Sequence, residues 1–453
     1  MMKTKTLLQY GHEHPIVSLS TIFVVWKSVI FLTALASPGV GYDTCASLLW
    51  FDKNATAPFQ NTPVQLQSQW LKFVRWDAIY FTHMAEYGHV YEQEWAFGIG
   101  LSSTISWIAK LLEGSSIVSR STSFALAGIL LSHAAHWLAV IQLWAIATTL
   151  GGKGQSQSAI PFVAATLHVF SPAGIFLSAP YTESVFACLS FSGFLAFLWA
   201  HQYFNHARPF AGCFNMVIAG SAFGLATLIR SNGILAGIPF LIEAVTTLLA
   251  LLSQGFSLTR IVRLGSVGLG GILVAVGMFL PQVLAFQVYC AGRSPGDRRE
   301  WCQWTLPSIF TFVQSHYWNV GPFRYWTLSN LPLFLLAAPT LWLLVQSASD
   351  TLRNPEVLRG KVAASPSASD RASIHPKLVT ASLALPQLVL SVLALTSYHV
   401  QIIARISSGY PLWYIWLAAS ARDRPKCASV IIRWMILYAL IQAGLYASFL
   451  PPA

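Results

Sequence analysis

Charged side chains are scarce in this sequence. Asp, Glu, Lys and Arg make up 9% of its 453 residues, whereas 55% are apolar. A typical soluble domain carries about 25% charged residues. So few charges cannot cover the water-facing surface of a chain this long. The composition therefore excludes a soluble enzyme, a disordered chain and a coiled coil, and it predicts an all-α, polytopic membrane protein.

Signatures of metal, nucleotide and nucleic-acid binding are also missing. The six cysteines form no CxxC pair, and the sequence contains no HExxH motif and no P-loop. We therefore expect no metal and no cofactor. The net charge of +11 comes mostly from short connections between apolar runs, so we expect no nucleic-acid partner either. Cys290 and Cys302 flank a polar stretch and could pair in an oxidising lumen, with a chance proximity as the alternative.

Apolar runs occur along the whole chain, which we interpret as a single membrane domain, 1–453. We expect about eleven transmembrane helices, within a range of ten to twelve. The expected spans are 16–36, 122–150, 158–178, 183–204, 210–229, 232–252, 264–289, 328–347, 377–396, 408–420 and 429–449. A further apolar run, 96–112, must not cross completely if the basic connections are all to lie on one side.

The distribution of basic residues predicts the orientation of these spans. Lys3 and Lys5 place the N-terminus in the cytosol, and later basic residues fall in alternate connections. The segment 350–375 is interpreted as a cytosolic linker. The opposite connections are then luminal, among them a long first loop, 37–95, and a second large loop, 291–327. The glycosylation sequon at Asn54 is mild support for a luminal first loop.

The first luminal loop holds the most informative carboxylate. Asp77 follows Arg75 and Trp76 in a segment whose aromatic residues recur at helical spacing, which predicts a helix on the membrane surface. A partly desolvated carboxylate at that boundary can act as a general base toward a hydroxyl. The alternatives are a carboxylate paired with Arg75 or solvated, and an interfacial belt for the aromatic residues.

Other polar residues lie at the predicted luminal ends of spans. Glu183 could cap its helix or position a sugar hydroxyl. Arg230 needs an anion, which could be a lipid phosphate or a luminal carboxylate. The second loop combines amides with aromatic faces, which suits carbohydrate or lipid headgroups, and His399, Gln401 and Arg405 precede a late span.

Taken in order along the chain, these segments resemble the PIG-V family of mannosyltransferases. The resemblance covers nearly the whole chain, although Gly98, Ile99 and Gly100 replace the Phe-Pro that usually follows Phe97 in the family. The matching blocks are 75–81, 87–88, 91–93, 96–97, 171–176, 181–184, 230–233, 314–321, 335–339, 399–401 and Arg405.

The resemblance implies a glycosyltransferase of the GT-C type in the endoplasmic reticulum membrane, with a luminal active site. Such an enzyme takes mannose from dolichyl-phosphate mannose and adds it, as the second mannose in an α-1,6 linkage, to a glycosylphosphatidylinositol precursor. Its partners are therefore a lipid-linked donor and a glycolipid acceptor. A small membrane-protein subunit is a further candidate partner. The family's essential Trp-Asp pair falls on Trp76 and Asp77.

We therefore expect an inverting displacement in which Asp77, with Trp76 beside it, removes the acceptor proton. Arg230 and Arg405 are expected at the leaving phosphate, and Glu92 is expected to orient a substrate. The remaining candidate substrate-binding residues are Arg75, Gln93, Tyr181, Glu183, Asn232, Gln314, Trp318, Asn319, His399 and Gln401. The alternatives are a transferase for another acceptor, a non-catalytic subunit, and a transporter or scramblase whose path is marked by Lys27 and Glu243.

Overall fold

The computed structural model describes residues 11, 13–38, 69–112, 120–151, 159–294, 296–359 and 376–450. Within these ranges all regular secondary structure is helical, which satisfies backbone hydrogen bonds without water. The α-helices are α1 Pro15–Ala36, α2 Asp77–Tyr87, α3 Ile99–Leu112, α4 Arg120–Gly151, α5 Ile160–Val169, α6 Thr182–Asn205, α7 Pro209–Ile229, α8 Gly237–Gln254, α9 Leu258–Tyr289, α10 Ile309–His316, α11 Leu331–Arg353, α12 Pro376–Thr396, α13 Ile403–Ile406, α14 Leu412–Asp423 and α15 Pro425–Ala447.

Nine helices among the described residues are long and apolar enough to cross a membrane. They confirm a multi-pass protein but not the expected count of eleven. The other two expected spans, 158–178 and 408–420, contain only the shorter helices α5 and α14. Pro172 and Gly174, whose φ is +45°, follow α5 and end its helical path before α6 begins. Hydropathy registers the apolar run but not the break inside it.

These broken helices lie at the centre of the molecule. α5 packs against α14, and α6 is the most buried of the nine long helices. Non-helical backbone at this depth leaves carbonyl groups to be satisfied by side chains. Lys27 of α1 donates from Nζ to the carbonyl oxygen of Leu177 (2.7 Å) and to Ser178 Oγ (2.8 Å). Ser132 of α4 donates to the carbonyl oxygen of Ala179 (2.6 Å).

The apolar run 96–112 forms α3, whose 14 residues rise about 21 Å. A bilayer core is about 30 Å thick, so the described part of this helix is shorter than a full crossing. Gly98 directly precedes α3, and a Cβ added there would lie 2.1 Å from the carbonyl oxygen of Leu228 in α7. The departure from the family pattern at this point therefore lets the chain pass directly against the end of α7.

The two long loops that were predicted to be luminal share a small core of their own. Trp95 from the first loop packs with Trp301, Phe312 and Val313 from the second, close to the end of α9. Cys290 and Cys302 form a disulfide, so the pairing alternative is the correct one. A cross-link over so short a loop stabilises a fold by about 3 kcal/mol. The second loop is thus a folded cap and not a loose connection.

The segment predicted to be a cytosolic linker is partly helical. The cytosolic linker was expected over 350–375, but α11 continues to Arg353 and a 3₁₀ turn follows over Pro355–Arg359. Asp350 accepts a hydrogen bond from Trp416 Nε1 (3.2 Å), and Leu358 is buried, so the start of this segment is packed. Residues 360–375 and the Asn54 sequon lie outside the described residues.

We predict that Gly98→Ala lowers the thermal midpoint of the detergent-solubilised protein. A methyl group there must displace the α7 backbone, and overpacking of this kind costs about 1–3 kcal/mol. Gly268→Ala is the matched control, because nothing lies within 4 Å of its added Cβ in α9. The control should equal or exceed the wild-type midpoint. Equal midpoints for the two variants would contradict the tight contact at Gly98.

Candidate active site

Asp77 begins α2 directly after a sharp turn at Trp76. Trp76 has a φ of +53°, a left-handed conformation that is unfavourable for a bulky residue and must be held by its surroundings. Its ring packs edge-on against Phe449, 5.2 Å between centroids. The carbonyl oxygen of Arg75 accepts hydrogen bonds from the hydroxyls of Tyr181 (3.3 Å) and Tyr446 (3.1 Å). The strained turn thus fixes the direction of the Asp77 side chain.

A chain of ion pairs runs inward from Asp77. Arg405 donates from Nη2 to Asp77 Oδ2 (3.0 Å) and from Nε to Glu183 Oε1 (3.0 Å). Arg230 donates from Nη1 to the same Glu183 oxygen (3.0 Å) and to Thr182 Oγ1 (2.8 Å). The side chain of Asp77 is 37% exposed, whereas that of Glu183 is 1% exposed. We call Asp77, Arg405, Glu183 and Arg230 the ion-pair ladder; Asp77 is its most exposed member, and Arg230 at the other end is 20% exposed.

Aromatic rings and carboxylates keep Arg405 charged. Its guanidinium lies over the rings of Phe176 (4.4 Å) and Tyr181 (5.0 Å), both from the segment between α5 and α6. Burial lowers the pKa of Arg405, but the charges of Glu183 and Asp77 outweigh that effect and hold this pKa above its ordinary value. Arg405 is therefore a permanent cation that orients the exposed carboxylate.

The ladder gives both Glu183 and Arg230 partners within the protein. Glu183 lies in the first turn of α6, where the helix dipole favours a carboxylate, and it bridges two arginines. Arg230 has a carboxylate partner, yet both of its hydrogen bonds come from Nη1. Within the described residues its Nη2 and Nε have no partner, so they can still donate to a phosphate. Asn232 lies beside it and donates to the Tyr410 hydroxyl (3.1 Å).

Glu92 is not part of the ladder. It accepts hydrogen bonds from Trp301 Nε1 (2.8 Å), the Tyr317 hydroxyl (3.2 Å) and Arg299 Nε (3.0 Å), all from the second loop. Burial favours a higher pKa for Glu92, but the hydrogen bonds from Arg299 and Trp301 outweigh it and lower that pKa. Its acceptors are thus occupied by protein donors in the interface between the loops. Gln93 beside it is half-buried.

The remaining predicted residues form a second group, built from the second loop and the segment before α13. His399 Nε2 contacts the carbonyl oxygen of Trp318 (2.9 Å), and the Trp318 ring packs against Phe97 of the first loop. The main chain turns here, so that the carbonyl oxygen of Gln314 accepts from the amide of Val320 (2.8 Å). Two further members are Asn319, with a φ of +52°, and the half-buried Gln401.

Several contributors to the site escaped the sequence analysis. Phe176 and Thr182 lay within matched blocks but were not singled out. Tyr446 and Phe449 come from the far end of the chain, and no local pattern connects them with Arg75. Among the described residues no group of three His, Cys, Asp or Glu side chains could hold a metal. A reaction without metal stays a prediction.

The two charges that would mark a transport path are both partnered. Glu243 accepts from Arg263 Nε (2.6 Å) and from Thr247 Oγ1 (3.3 Å) between α8 and α9. Lys27 donates to the broken backbone after α5. Both side chains are buried among packed helices. This arrangement accounts for their charges structurally and gives the transporter alternative no support.

Comparison with known proteins identifies the family of this chain. The sequence profile of the family described as Mannosyltransferase (PIG-V) matches residues 16–453. The chain belongs to the PIG-V family of mannosyltransferases. GPI mannosyltransferase 2 of Gibberella zeae is 43% identical over 450 residues, which cover 99% of this chain and all of that one. The Aspergillus oryzae protein of the same name is 38% identical, over 97% of this chain and 96% of its own.

More distant PIG-V relatives and solved structures complete the comparison. GPI mannosyltransferase 2 of Yarrowia lipolytica is 30% identical, over 96% of this chain and 99% of its own. Among solved structures, the oligosaccharyltransferase AglB of Archaeoglobus fulgidus is similar at a TM-score of 0.44 and 13% identity. That alignment covers 98% of this chain and 57% of AglB, so this chain spans little more than half of that protein. A similarity this low carries no functional argument.

We predict that Arg299→Ala loosens the second loop. The substitution removes the cation that pairs with the buried Glu92 carboxylate, and hydrogen bonds to charged groups contribute about 1.5–3 kcal/mol. Limited proteolysis of the purified protein should therefore cut within 291–327 faster than in the wild type.

Arg298→Ala is the matched control for this experiment. Arg298 is exposed, and among the described residues it donates only to the carbonyl oxygen of Arg293 in the same loop. Its cleavage rate should equal that of the wild type. If both variants were cut at the same rate, the Glu92 contact would not be what holds the two loops together.

Proposed function

We propose that this protein transfers mannose from dolichyl-phosphate mannose to a glycosylphosphatidylinositol precursor. The mannose is the second of the growing anchor and is joined in an α-1,6 linkage on the luminal side of the endoplasmic reticulum membrane. Family membership and the names of the full-length relatives support this proposal. The structural observation that carries it is the Asp77 carboxylate, open on one side and held by Arg405 on the other.

The proposed step is a single displacement with inversion. An acceptor mannose hydroxyl hydrogen-bonds to Asp77, which removes its proton as the oxygen forms a bond to C1 of the donor mannose. The bond between C1 and the phosphate oxygen breaks, and dolichyl phosphate leaves with the electron pair. Arg405 holds Asp77 in place, so that the base needs no reorganisation when the acceptor arrives.

The leaving phosphate needs a positive charge more than it needs a proton. Arg405 already donates to both Asp77 and Glu183. Within the described part of the chain, Arg230 has an Nη2 group that is free to donate, and its side chain is 20% exposed. We therefore assign the phosphate contact to Arg230 and the orientation of the base to Arg405. An arginine suits this role because its planar fork can bind two phosphate oxygens at once.

The luminal placement has support from two directions. The Cys290–Cys302 disulfide belongs to a compartment in which thiols are oxidised, and Glu92 joins its loop to the loop that carries Asp77. The short connections rich in Lys and Arg belong to the opposite side by the positive-inside rule. Both substrates are lipids with their sugars in the aqueous layer, so an exposed carboxylate at that boundary can reach them.

We predict that Asp77→Asn lowers kcat by about 10²–10⁴-fold, the contribution of a positioned general base. The assay is transfer of radiolabelled mannose from dolichyl-phosphate mannose to a one-mannose glycosylphosphatidylinositol lipid in membranes. Asp297→Asn is the control, since Asp297 is an exposed carboxylate whose side chain, within the described part of the chain, accepts a hydrogen bond from Ser294 alone. Near-normal activity of Asp77→Asn at normal protein level would remove Asp77 as the base.

The acceptor is tested separately, by lipid analysis of cells that lack the protein. Such cells should accumulate the one-mannose precursor, and the wild-type gene should clear it. Accumulation of a different lipid-linked sugar would redirect the proposal to another acceptor. This result does not depend on the assignment of Asp77.

We predict that Arg230→Lys raises the inhibition constant of dolichyl phosphate, the product lipid, by about tenfold. Lysine keeps a positive charge near Glu183 but loses the planar fork that a phosphate would use. Arg324→Lys changes an exposed arginine of the second loop and should leave inhibition unaltered. An unchanged inhibition constant in Arg230→Lys would assign the phosphate to another cation.

A further inference from the structure

The outward face of α2 continues well beyond Asp77. Asp77, Tyr80, His83 and Tyr87 follow one another at intervals of three or four residues and so share one side of the helix. Tyr80 is 38% exposed and Tyr87 is 59% exposed. The opposite side is buried against the protein through Ala78, Phe81, Thr82, Met84 and Ala85. The reactive carboxylate thus begins a stripe that leads away from the ion-pair ladder.

A buried carboxylate fixes the histidine of this stripe. Glu94, whose side chain is 1% exposed, accepts from His83 Nδ1 at 2.6 Å. Its other oxygen accepts from the amides of Val90 (2.7 Å) and Tyr91 (2.9 Å). Because the carboxylate can only accept, Nδ1 carries the proton, and Nε2 becomes the second polar atom of the ring. Proteins use such carboxylate–histidine pairs to orient an imidazole toward a ligand.

Aromatic faces surround this histidine. The His83 ring stacks on Tyr91 (5.6 Å between centroids, 25° between planes) and is tilted against Tyr87 (5.1 Å). Tyr91 is itself 57% exposed. Flat apolar faces with hydroxyl groups at their edges match a sugar ring, which has an apolar C–H face and a polar rim.

We propose that Tyr80, His83, Tyr87 and Tyr91 form a saccharide subsite for the part of the acceptor glycan that lies beyond the reacting mannose. This inference rests on the proposed function. The helix rises about 9 Å from Asp77 to His83, which is more than one sugar ring covers. The donor carries a single mannose, so a ligand that reaches both residues is the acceptor with its several sugars.

Tyr80 connects the two ends of this subsite. Burial, together with the charges of Asp77 and Glu94, raises the pKa of Tyr80. Its hydroxyl therefore keeps its proton and can donate to a sugar oxygen between the base and His83. The ring packs against Phe97, which in turn packs against Trp318 of the second loop. The stripe is thus continuous with the wall of the candidate active site.

The test compares Michaelis constants for the two substrates in membranes that contain the full chain. His83→Asn retains a donor near the Nδ1 position for Glu94 but removes Nε2 and the stacked ring. Tyr91→Ala removes an exposed ring and keeps the backbone amide that donates a hydrogen bond to Glu94. Each variant should raise KM for the one-mannose glycosylphosphatidylinositol acceptor about fivefold, the factor expected for one net hydrogen bond or ring contact. KM for dolichyl-phosphate mannose and kcat should stay within about twofold.

An exposed aromatic residue of α3 supplies the control. Trp107 of α3 is 64% exposed and lies outside the stripe, so Trp107→Ala should leave both Michaelis constants unchanged. The inference is overturned if both stripe variants keep the wild-type acceptor KM, or if both substrates are affected equally, as an interfacial belt or a general loss of structure would produce. If His83→Asn does not accumulate, Tyr91→Ala decides alone. A wild-type protein that transfers no mannose to this acceptor would defeat the proposed function instead.

Discussion

The buried carboxylate of Glu183 organises the site. It receives hydrogen bonds from Arg405 and Arg230, which arrive from the segment before α14 and from the end of α7. An uncompensated charge at this depth would be very costly, whereas two cations and two anions together are neutral. Removing one member would leave another buried without a partner. The ladder is therefore a cooperative unit, and its most exposed member is the Asp77 carboxylate.

The breaks between α5 and α6 make this arrangement possible. A continuous helix through 170–181 would direct its side chains into lipid or into neighbouring helices. The irregular segment instead brings Phe176 and Tyr181 beneath the guanidinium of Arg405. Its carbonyl groups are satisfied by Lys27 and Ser132 from other helices. Broken helices at membrane depth are tolerated where they are buried in protein in this way.

Much of the candidate site could be predicted from the sequence, because polar residues stand out in an apolar chain. Asp77, Glu183, Arg230 and Arg405 were all selected before their contacts were known. Which of them pair could not be predicted, since Arg405 lies 222 residues from Glu183 and 328 from Asp77. Glu92 shows the same limit, because its partner Arg299 is 207 residues away. Local sequence therefore does not distinguish a carboxylate that binds substrate from one that holds two loops together.

The fold followed the hydropathy pattern for the long spans and departed from it where proline and glycine interrupt an apolar run. The hydropathy of a segment measures how apolar it is but does not reveal a turn inside it. Gly98 illustrates the converse case. It looked like a departure from a family pattern, and its reason became apparent only beside the α7 backbone.

Lys27 has a consequence for the biogenesis of the chain. Its ammonium group lies within the first membrane helix, and its hydrogen-bond partners, Leu177 and Ser178, are 150 and 151 residues further along the chain. A lysine at the centre of a lone helix costs about 2.5–3.5 kcal/mol on insertion scales. During synthesis the first helix therefore carries this cost until the fourth apolar segment has emerged. We expect the insertion machinery to retain α1 beside it over that interval, and a chain truncated before Leu177 to remain crosslinkable to that machinery.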